Sequence, residues 1–439
     1  MPGWVKVAKG CDMSDSSKVL IVLIAVALAG MATVSLGGPQ AEADREAELE
    51  KFSDYVDDAF PTVIEMTGIE EPEPVPIVML WRSEIREFLL ETVDREYPED
   101  ELVKRGECMS ALGFLPMGYD LEGGFIRLIT DEAGAFYDPH TDDLKGIADL
   151  PPMLKTPQMQ KMIISHELTH ALQDRVIDIG AISRVALTDM DYEYCLRVVI
   201  EGMACNVMMA YMYGVPLEEA PDVQATLRAG FDMKYGSPGG SALSECPLYL
   251  RESLLNPYAE GGGFVQTWLR KNPDKKMKDL LTSRPSTSEQ VIHYEKYESG
   301  EGATPMDLSR LDSGLPGDWT LFYTNTLGEF DFLLLFQTHE QTRRYADELA
   351  AGWSGCRWQA YRDRSGGLVI IGLSAWDSER DAADFHDGFT RVLSGIWERS
   401  DYELIEDGKM VAFIVGAAGV RSGAIKSALG SLVSGPELR

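Results

Sequence analysis

Two of the six histidines in this 439-residue chain lie four residues apart in "IISHELTHALQD" (Ile163–Asp174), with a glutamate directly after the first. Residues i and i+4 stack on one helix face, about 6 Å apart along the axis. His166 and His170 can then both reach one metal ion at roughly 2.0–2.1 Å per Zn–N bond. Glu167 is rotated about 100° from His166. Its carboxylate can face the open coordination position and take a proton from water there. H-E-x-x-H arises by chance in well under about one chain in a hundred of such composition. The spacing is therefore read as a zinc (Zn2+) site with Glu167 as general base.

The third protein ligand must come from elsewhere. A G-x-x-H continuation of the motif is excluded, because Gln173 and Val176 stand at those positions. Asp174 shares the face but lies about 12 Å along the axis from His166, which suits bracing better than coordination. Glu201, in the apolar stretch "LRVVIEGMACNVMM", is the best candidate. A carboxylate in such surroundings is costly unless something neutralises it, and Gly202 beside it permits close helix packing. The competing reading is an i,i+4 ion pair with Arg197, and Glu193 is the next ligand to try. A hydrolase also needs a donor for the developing oxyanion. His293 is the candidate, with Tyr297 and Tyr137 as others and a loop-holding role as the alternative for His293. His140, His339 and His386 read as structural or surface residues.

"HELTH" followed by a downstream "EG" helix resembles the gluzincin zinc metallopeptidases, of thermolysin-like plan. "GAFYDP", "HELTHALQD", "VVIEGMA" and "STSEQVIHYEKY" more closely resemble a largely uncharacterised group of bacterial and archaeal chains assigned as metallopeptidases. The likeness runs loosely from Pro72 to Trp376. It implies a zincin-like fold, peptide-bond hydrolysis, His166, His170 and Glu201 as zinc ligands and Glu167 as base. One departure stands out. Thermolysin-like enzymes carry an Asp one turn after the glutamate ligand to orient a histidine, and here that position is Cys205.

The elements that must carry these residues follow from periodicity and punctuation. An acidic helix spans Glu42–Phe60, a strand falls within Pro72–Leu80, and Ser83–Tyr97 is helical with Ile85, Leu89 and Val93 on one face. Two short strands flank "DPHTDD" within Glu132–Leu150. "AFYDP" there reads either as an edge strand for peptide backbone or as a buried hairpin. Helices follow at Thr156–Ile177, Asp191–Tyr213, Leu248–Leu255 and Phe264–Lys271, with a flexible loop at Gly236–Glu245. Ser286–Tyr297 is a capped helical turn. After a linker at Ser299–Gly317 come a helix near Leu327–Ala351, strands at Cys356–Asp363 and Gly367–Trp376, a helix at Ser378–Leu393 and a strand at Lys409–Val415. The expected fold class is α+β: a leader at 1–41, a zincin-like domain at 42–298 with a small twisted sheet, and a small α+β domain at 318–439.

The formal net charge of −31 repels nucleic-acid phosphate, so no DNA or RNA partner is expected. Val19–Leu36 is 18 residues without a charge, preceded by Lys6, Lys9 and Lys18 and followed by Glu42, Asp44, Glu46 and Glu48. That is the arrangement of a single membrane span with the C-terminal bulk outside the cytoplasm; a cleaved signal is the alternative, with "AEA" (Ala41–Ala43) as its cleavage site. Cys195 and Cys205 share one helix about 15 Å apart, beyond disulfide reach, while Cys108 and Cys246 could bridge. The resulting expectation is a membrane-anchored extracytoplasmic zinc metallopeptidase acting on peptide or protein substrates. A membrane-anchored scaffold with a structural zinc is the alternative.

Overall fold

The computed structural model describes residues 39–71, 73–97, 100–132, 134–181, 187–236, 242–309, 311 and 319–416. The apolar run at 19–36 and residues 237–241 of the loop at 236–245 fall outside them, while the candidate cleavage site at 41–43 lies within the first described helix. The architecture is α+β, with a helical region around the H-E-x-x-H helix and a separate antiparallel sheet toward the C-terminus.

The first part opens with α1 (Pro39–Thr67), β1 (Ile77–Leu80), α2 (Arg82–Glu96), α3 (Glu101–Leu112) and α4 (Leu121–Glu132). On α2, Ile85, Leu89 and Val93 are all buried, as their spacing requires. A hairpin of β2 (Ala135–Asp138) and β3 (Asp143–Ile147) completes a three-stranded sheet in the order β1-β3-β2. β1 runs parallel to β3, and β2 pairs antiparallel with it, Ala135 opposite Gly146. β2 is thus an edge strand in the sheet, yet it is buried along its length because α5 (Pro157–Ile177) covers it.

Behind α5 lies α6 (Met190–Tyr213), buried almost throughout from Tyr194 to Ala210. It is the one described helix long and apolar enough to cross a membrane, but 83% of its apolar window is buried inside the protein. An all-round apolar helix in that position is the core of the fold. α7 (Val223–Tyr235) follows, and then α8 (Leu248–Lys271) packs along α6.

The two helices expected at 248–255 and 264–271 are one continuous helix with Pro257 inside it. Its three consecutive glycines, 261–263, do not break it. A methyl group at Gly202 would overlap the carbonyl of Gly261, and one at Gly261 would overlap the carbonyl of Val198. The small residues let the α6 and α8 backbones touch, and that contact offsets the low helix propensity of glycine. Asn206 Nδ2 seals the crossing, donating to the Gly202 carbonyl at 2.8 Å and the Gly262 carbonyl at 2.9 Å.

Three short helices, α9 (Met277–Thr282), α10 (Ser288–Ile292) and α11 (Tyr294–Ser299), lead to β4 (Thr320–Asn325). Thr287 caps α10 through its side chain, as the turn reading requires. The helix expected at 327–351 is interrupted. α12 (Glu329–Thr338) ends, and α13 (Ala346–Ala350) begins after a turn. The buried Thr342 hydroxyl donates to the Phe336 carbonyl at 2.8 Å, and the His339 ring donates to Gly113 O at 2.8 Å, so both side chains hold the turn. β5 (Trp353–Arg362), β6 (Leu368–Trp376), α14 (Glu379–Ser394), β7 (Tyr402–Asp407) and β8 (Met410–Val415) close the fold. The five-stranded sheet has order β4-β5-β6-β8-β7, antiparallel throughout. β4 and β7 are additions to the strands expected.

The C-terminal sheet reaches the site helix through its first strand. The Asn325 side chain accepts from Met190 N–H at 2.8 Å and donates to Leu187 O at 2.9 Å, and Thr326 bonds the Asp189 cap at 2.6 Å. The start of α6 is therefore held by residues at the end of β4. Cys108, Cys195, Cys205, Cys246 and Cys356 are all free thiols, so Cys108 and Cys246 are not bridged.

Candidate metal centre

α5 delivers His166 and His170 to one face, with ring centroids 4.6 Å apart and planes at 85°. α6 delivers Glu201 against them. Its Oε2 lies 3.3 Å from His166 Nε2 and 3.7 Å from His170 Nε2. Two donors each about 2.0–2.2 Å from a tetrahedral ion sit about 3.3–3.6 Å apart, so these separations match the edges of such a site. The three donor atoms cluster within 4.8 Å of one another.

Their hydrogen-bonding state makes the stronger argument. His166 Nδ1 and Nε2, His170 Nε2, both Glu201 carboxylate oxygens and Glu167 Oε1 are all buried without a hydrogen-bond partner. Buried polar atoms are normally satisfied, and the convergence of the two Nε2 atoms on the Glu201 carboxylate is what a cation resolves. Burial lowers both histidines to about 3, so each imidazole is neutral with a lone pair to give. Burial pushes the Glu201 carboxyl up to about 7, with His170, Arg197 and the Tyr258 hydroxyl pulling the other way. The donor set therefore fits zinc, with two neutral nitrogens and one carboxylate.

Glu167 points from the same turn of α5. Its Oε2 accepts from the Tyr137 backbone N–H at 2.9 Å, leaving Oε1 free. Burial raises this carboxyl well above the usual range, and the neighbouring Glu201 charge adds to the rise. The edge of β2 thus spends a ladder donor on holding Glu167 in place. The Tyr137 hydroxyl is engaged elsewhere, by Asp142 at 2.9 Å and Asp174 at 3.0 Å. Asp174 also accepts from Ile179 N–H at 2.7 Å, so it braces the end of α5 and the hairpin.

The role that Cys205 leaves open is met from α5 itself. Gln173 Oε1 lies 2.9 Å from His170 Nδ1, and Gln173 Nε2 donates to Ile200 O at 2.9 Å, beside Glu201. One amide orients the histidine and ties it to the helix bearing the glutamate. Arg197 does not hydrogen-bond Glu201; its Nη1 donates to Ser253 O on α8 at 3.0 Å.

His293 sits on the turn between α10 and α11, where its Nε2 pairs with Glu329 at 2.9 Å. Tyr297 donates to Ser283 O at 2.8 Å. Glu193 is held by Arg105 at 3.0 Å. The aromatic residue that does reach the cluster is Tyr258 on α8. Its ring stacks on His166 with centroids 5.9 Å apart and planes at 9°. Nothing local marks it in the sequence; the signal was the helix continuing through Pro257, which puts Tyr258 on the α6-facing side.

The site is closed. His166 is 2% exposed, and Glu167, His170 and Glu201 are 0% exposed. One side is bordered by a small apolar cluster, detached from the main core, in which Cys205, Met208, Met209 and Tyr258 meet Val223 of α7, with Met162 and Leu227 packed on it.

Residues 320–421 match a family described as a domain of unknown function (DUF8575). The match begins at β4 and covers the five-stranded sheet, well short of half the chain. No curated protein and no solved structure matches the chain. The cluster of His166, His170 and Glu201 with Glu167 is consistent with a gluzincin-type H-E-x-x-H…E zinc site suited to metal-dependent hydrolysis.

Proposed function

We propose that this chain is a zinc metallopeptidase of gluzincin type, anchored in a membrane through residues 19–36 with its catalytic part outside the cytoplasm. The proposed division is a leader at 1–41, a peptidase part at 42–298 and a C-terminal part from 318. His166, His170 and Glu201 hold the metal. The carrying observation is the convergence of their unsatisfied buried donor atoms. Zinc there would polarise a scissile carbonyl and acidify water. Glu167 Oε1 takes a proton and passes it to the leaving amine, while the Tyr137 N–H fixes its other oxygen. Tyr258, stacked on His166, is better placed than His293 to donate to a developing oxyanion. Access requires the cover formed by α7 to move. The flanking charges of 19–36 support the topology.

The test uses the full-length protein in detergent, with zinc per chain and cleavage of a peptide library as readouts. Glu167→Gln should keep stoichiometric zinc and lose cleavage by two or more orders of magnitude, roughly the share of general-base catalysis. Native-rate cleavage by that variant would falsify the mechanism. The closure of the site favours one second reading, a structural zinc in a membrane-anchored binding or scaffold protein. Stoichiometric zinc without cleavage of any library peptide would support it.

A further inference from the structure

The chain is strongly acidic, yet "WLRKNPDKKMKDLLTSR" (Trp268–Arg284) carries Arg270, Lys271, Lys275, Lys276, Lys278 and Arg284 against only Asp274 and Asp279. Where this stretch leaves α8 it borders a cavity of about 500 Å³. Lys271, Lys275, Arg284 and Glu298 reach its wall, and Tyr294 and Tyr297 form an aromatic face with Trp268 buried behind it. The Trp268 ring is 1% exposed. Tyr297 packs edge to face on Phe264, and Tyr294 packs at a tilt on both, with centroids 5.2–5.5 Å apart.

Several cations elsewhere are multiply paired. Lys296 has three carboxylates around it, and Arg228 and Lys145 have two each. Lys271 is paired with Glu298 at 2.7 Å. Lys275 lies over the Trp268 ring at 5.8 Å and Arg284 bonds only neutral oxygens, the Tyr192 hydroxyl at 2.6 and 3.0 Å and Leu281 O at 2.6 Å. Among the described residues neither has a carboxylate partner. In a chain with 71 acidic and 40 basic side chains, two cations without a carboxylate in one cavity, within a stretch of six basic and two acidic residues, make a locally positive site.

We propose that this cavity binds an acidic polypeptide segment, its carboxylates against Lys275 and Arg284 and its side-chain stems against the aromatic face. The Arg284 fork is already spent on Tyr192 and Leu281, so it offers charge rather than the two free parallel N–H groups that chelate a phosphate. Charge plus an apolar wall is how an acidic peptide is held. The acidic surface elsewhere confines such a segment to this cavity. Trp268 is ten residues beyond Tyr258 on α8, about 15 Å along the helix. Under the peptidase reading, on which this clause alone rests, the cavity anchors substrate away from the bond cut.

The experiment measures fluorescence anisotropy of a labelled ten-residue peptide rich in glutamate and tyrosine, and of its glutamine counterpart, on the full-length protein. Binding is read without turnover, so it stands or falls apart from the metal centre. The glutamate peptide should bind, weaken at least tenfold from low to 0.3 M salt, and weaken about tenfold again in Lys275→Glu. Arg284→Gln should act alike, and Lys275→Glu, on an exposed side chain, keeps the test open if Arg284→Gln fails to fold. Equal binding of the glutamine peptide, or no effect of Lys275→Glu, overturns the proposal. Complete competition by 10 mM inorganic phosphate overturns it in favour of a small-anion site. Self-association abolished by Lys275→Glu overturns it in favour of a second copy of the chain.

Discussion

Arg197 donates to the carbonyl of Ser253 at 3.0 Å, and that carbonyl is the one Pro257 leaves without a helical partner. Proline has no N–H, so the oxygen four residues back is freed and, when buried, must find another donor. Arg197 crosses from α6 to supply it. The same geometry turns the guanidinium away from Glu201, one turn on, which it reaches only as a nearby charge. The proline in α8 and the carboxylate at the metal centre are therefore linked through one side chain.

Arg197→Ala should consequently be destabilised by about 1 kcal/mol, because a part-buried carbonyl loses its donor, rather than by the few tenths lost with an exposed helical ion pair. It should nonetheless retain zinc. Glu201→Ala should lose the metal, because two neutral imidazoles hold zinc weakly. Thermal unfolding and zinc per chain after dialysis against a mild chelator separate the two. Stoichiometric zinc in Glu201→Ala would sink the ligand assignment.

Gln173→Leu tests the orienting amide. It keeps the volume but leaves His170 Nδ1 without its partner and removes the side-chain bond to the Ile200 carbonyl. Zinc affinity should fall about 10–100-fold, the usual effect of losing a group that orients a metal-binding histidine. Competition with a chromophoric chelator reads this. An unchanged affinity would mean that α5 alone holds the ring.

Much of this centre was legible because its parts are local. The i,i+4 spacing places His166 and His170, and the cost of a carboxylate among apolar residues singles out Glu201. Gln173 and Tyr258 were not legible. Gln173 acts on a residue three positions away, but its second bond goes to another helix. Tyr258 depends on α8 running through Pro257 and three glycines, which local propensity reads as a break. Only the contact between Gly202 and Gly261 repairs that, and it is tertiary. β4 was missed because its paired residues on β5 lie 33 to 42 positions on and pairing across that distance has no local period.

The His293–Glu329 pair makes stability depend on pH. Its hydrogen bond to Glu329 raises His293 above its usual 6.5, with burial opposing. A raised folded value contributes stability that is full below about pH 6.5 and is lost as pH climbs through the folded value. Burial also raises Glu329, with His293 opposing, so ionising it in the fold costs stability in the same sense. The gap in Tm between native protein and His293→Gln should therefore be wider at pH 5.5 than at pH 8.5. A gap that widens toward pH 8.5 would show that the pair does not titrate this way.

If α7 is the cover over the metal centre, access turns on its motion. Only Val223 and Tyr235 of its thirteen residues are buried, and Met233 is 86% exposed. Val223 joins a cluster separate from the main core, while Tyr235 joins the main core itself. Polar bonds to α8 supply the rest of its hold: Arg228 reaches Glu252 at 2.9 Å and Glu260 at 3.1 Å, and Gln224 also bonds Glu260. Such a lightly held helix opens locally at less cost than the whole fold unfolds. Arg228→Gln removes the charge from the clamp while leaving the apolar contacts. Since these partners are part-exposed, global stability should change by only about 1 kcal/mol or less. Opening should become more frequent, so zinc loss to excess chelator should speed up several-fold and peptide cleavage should rise or hold. If zinc leaves Arg228→Gln at the native rate while the variant is otherwise folded, the cover over the site is not α7, and the route to Glu167 must lie on another side of α5.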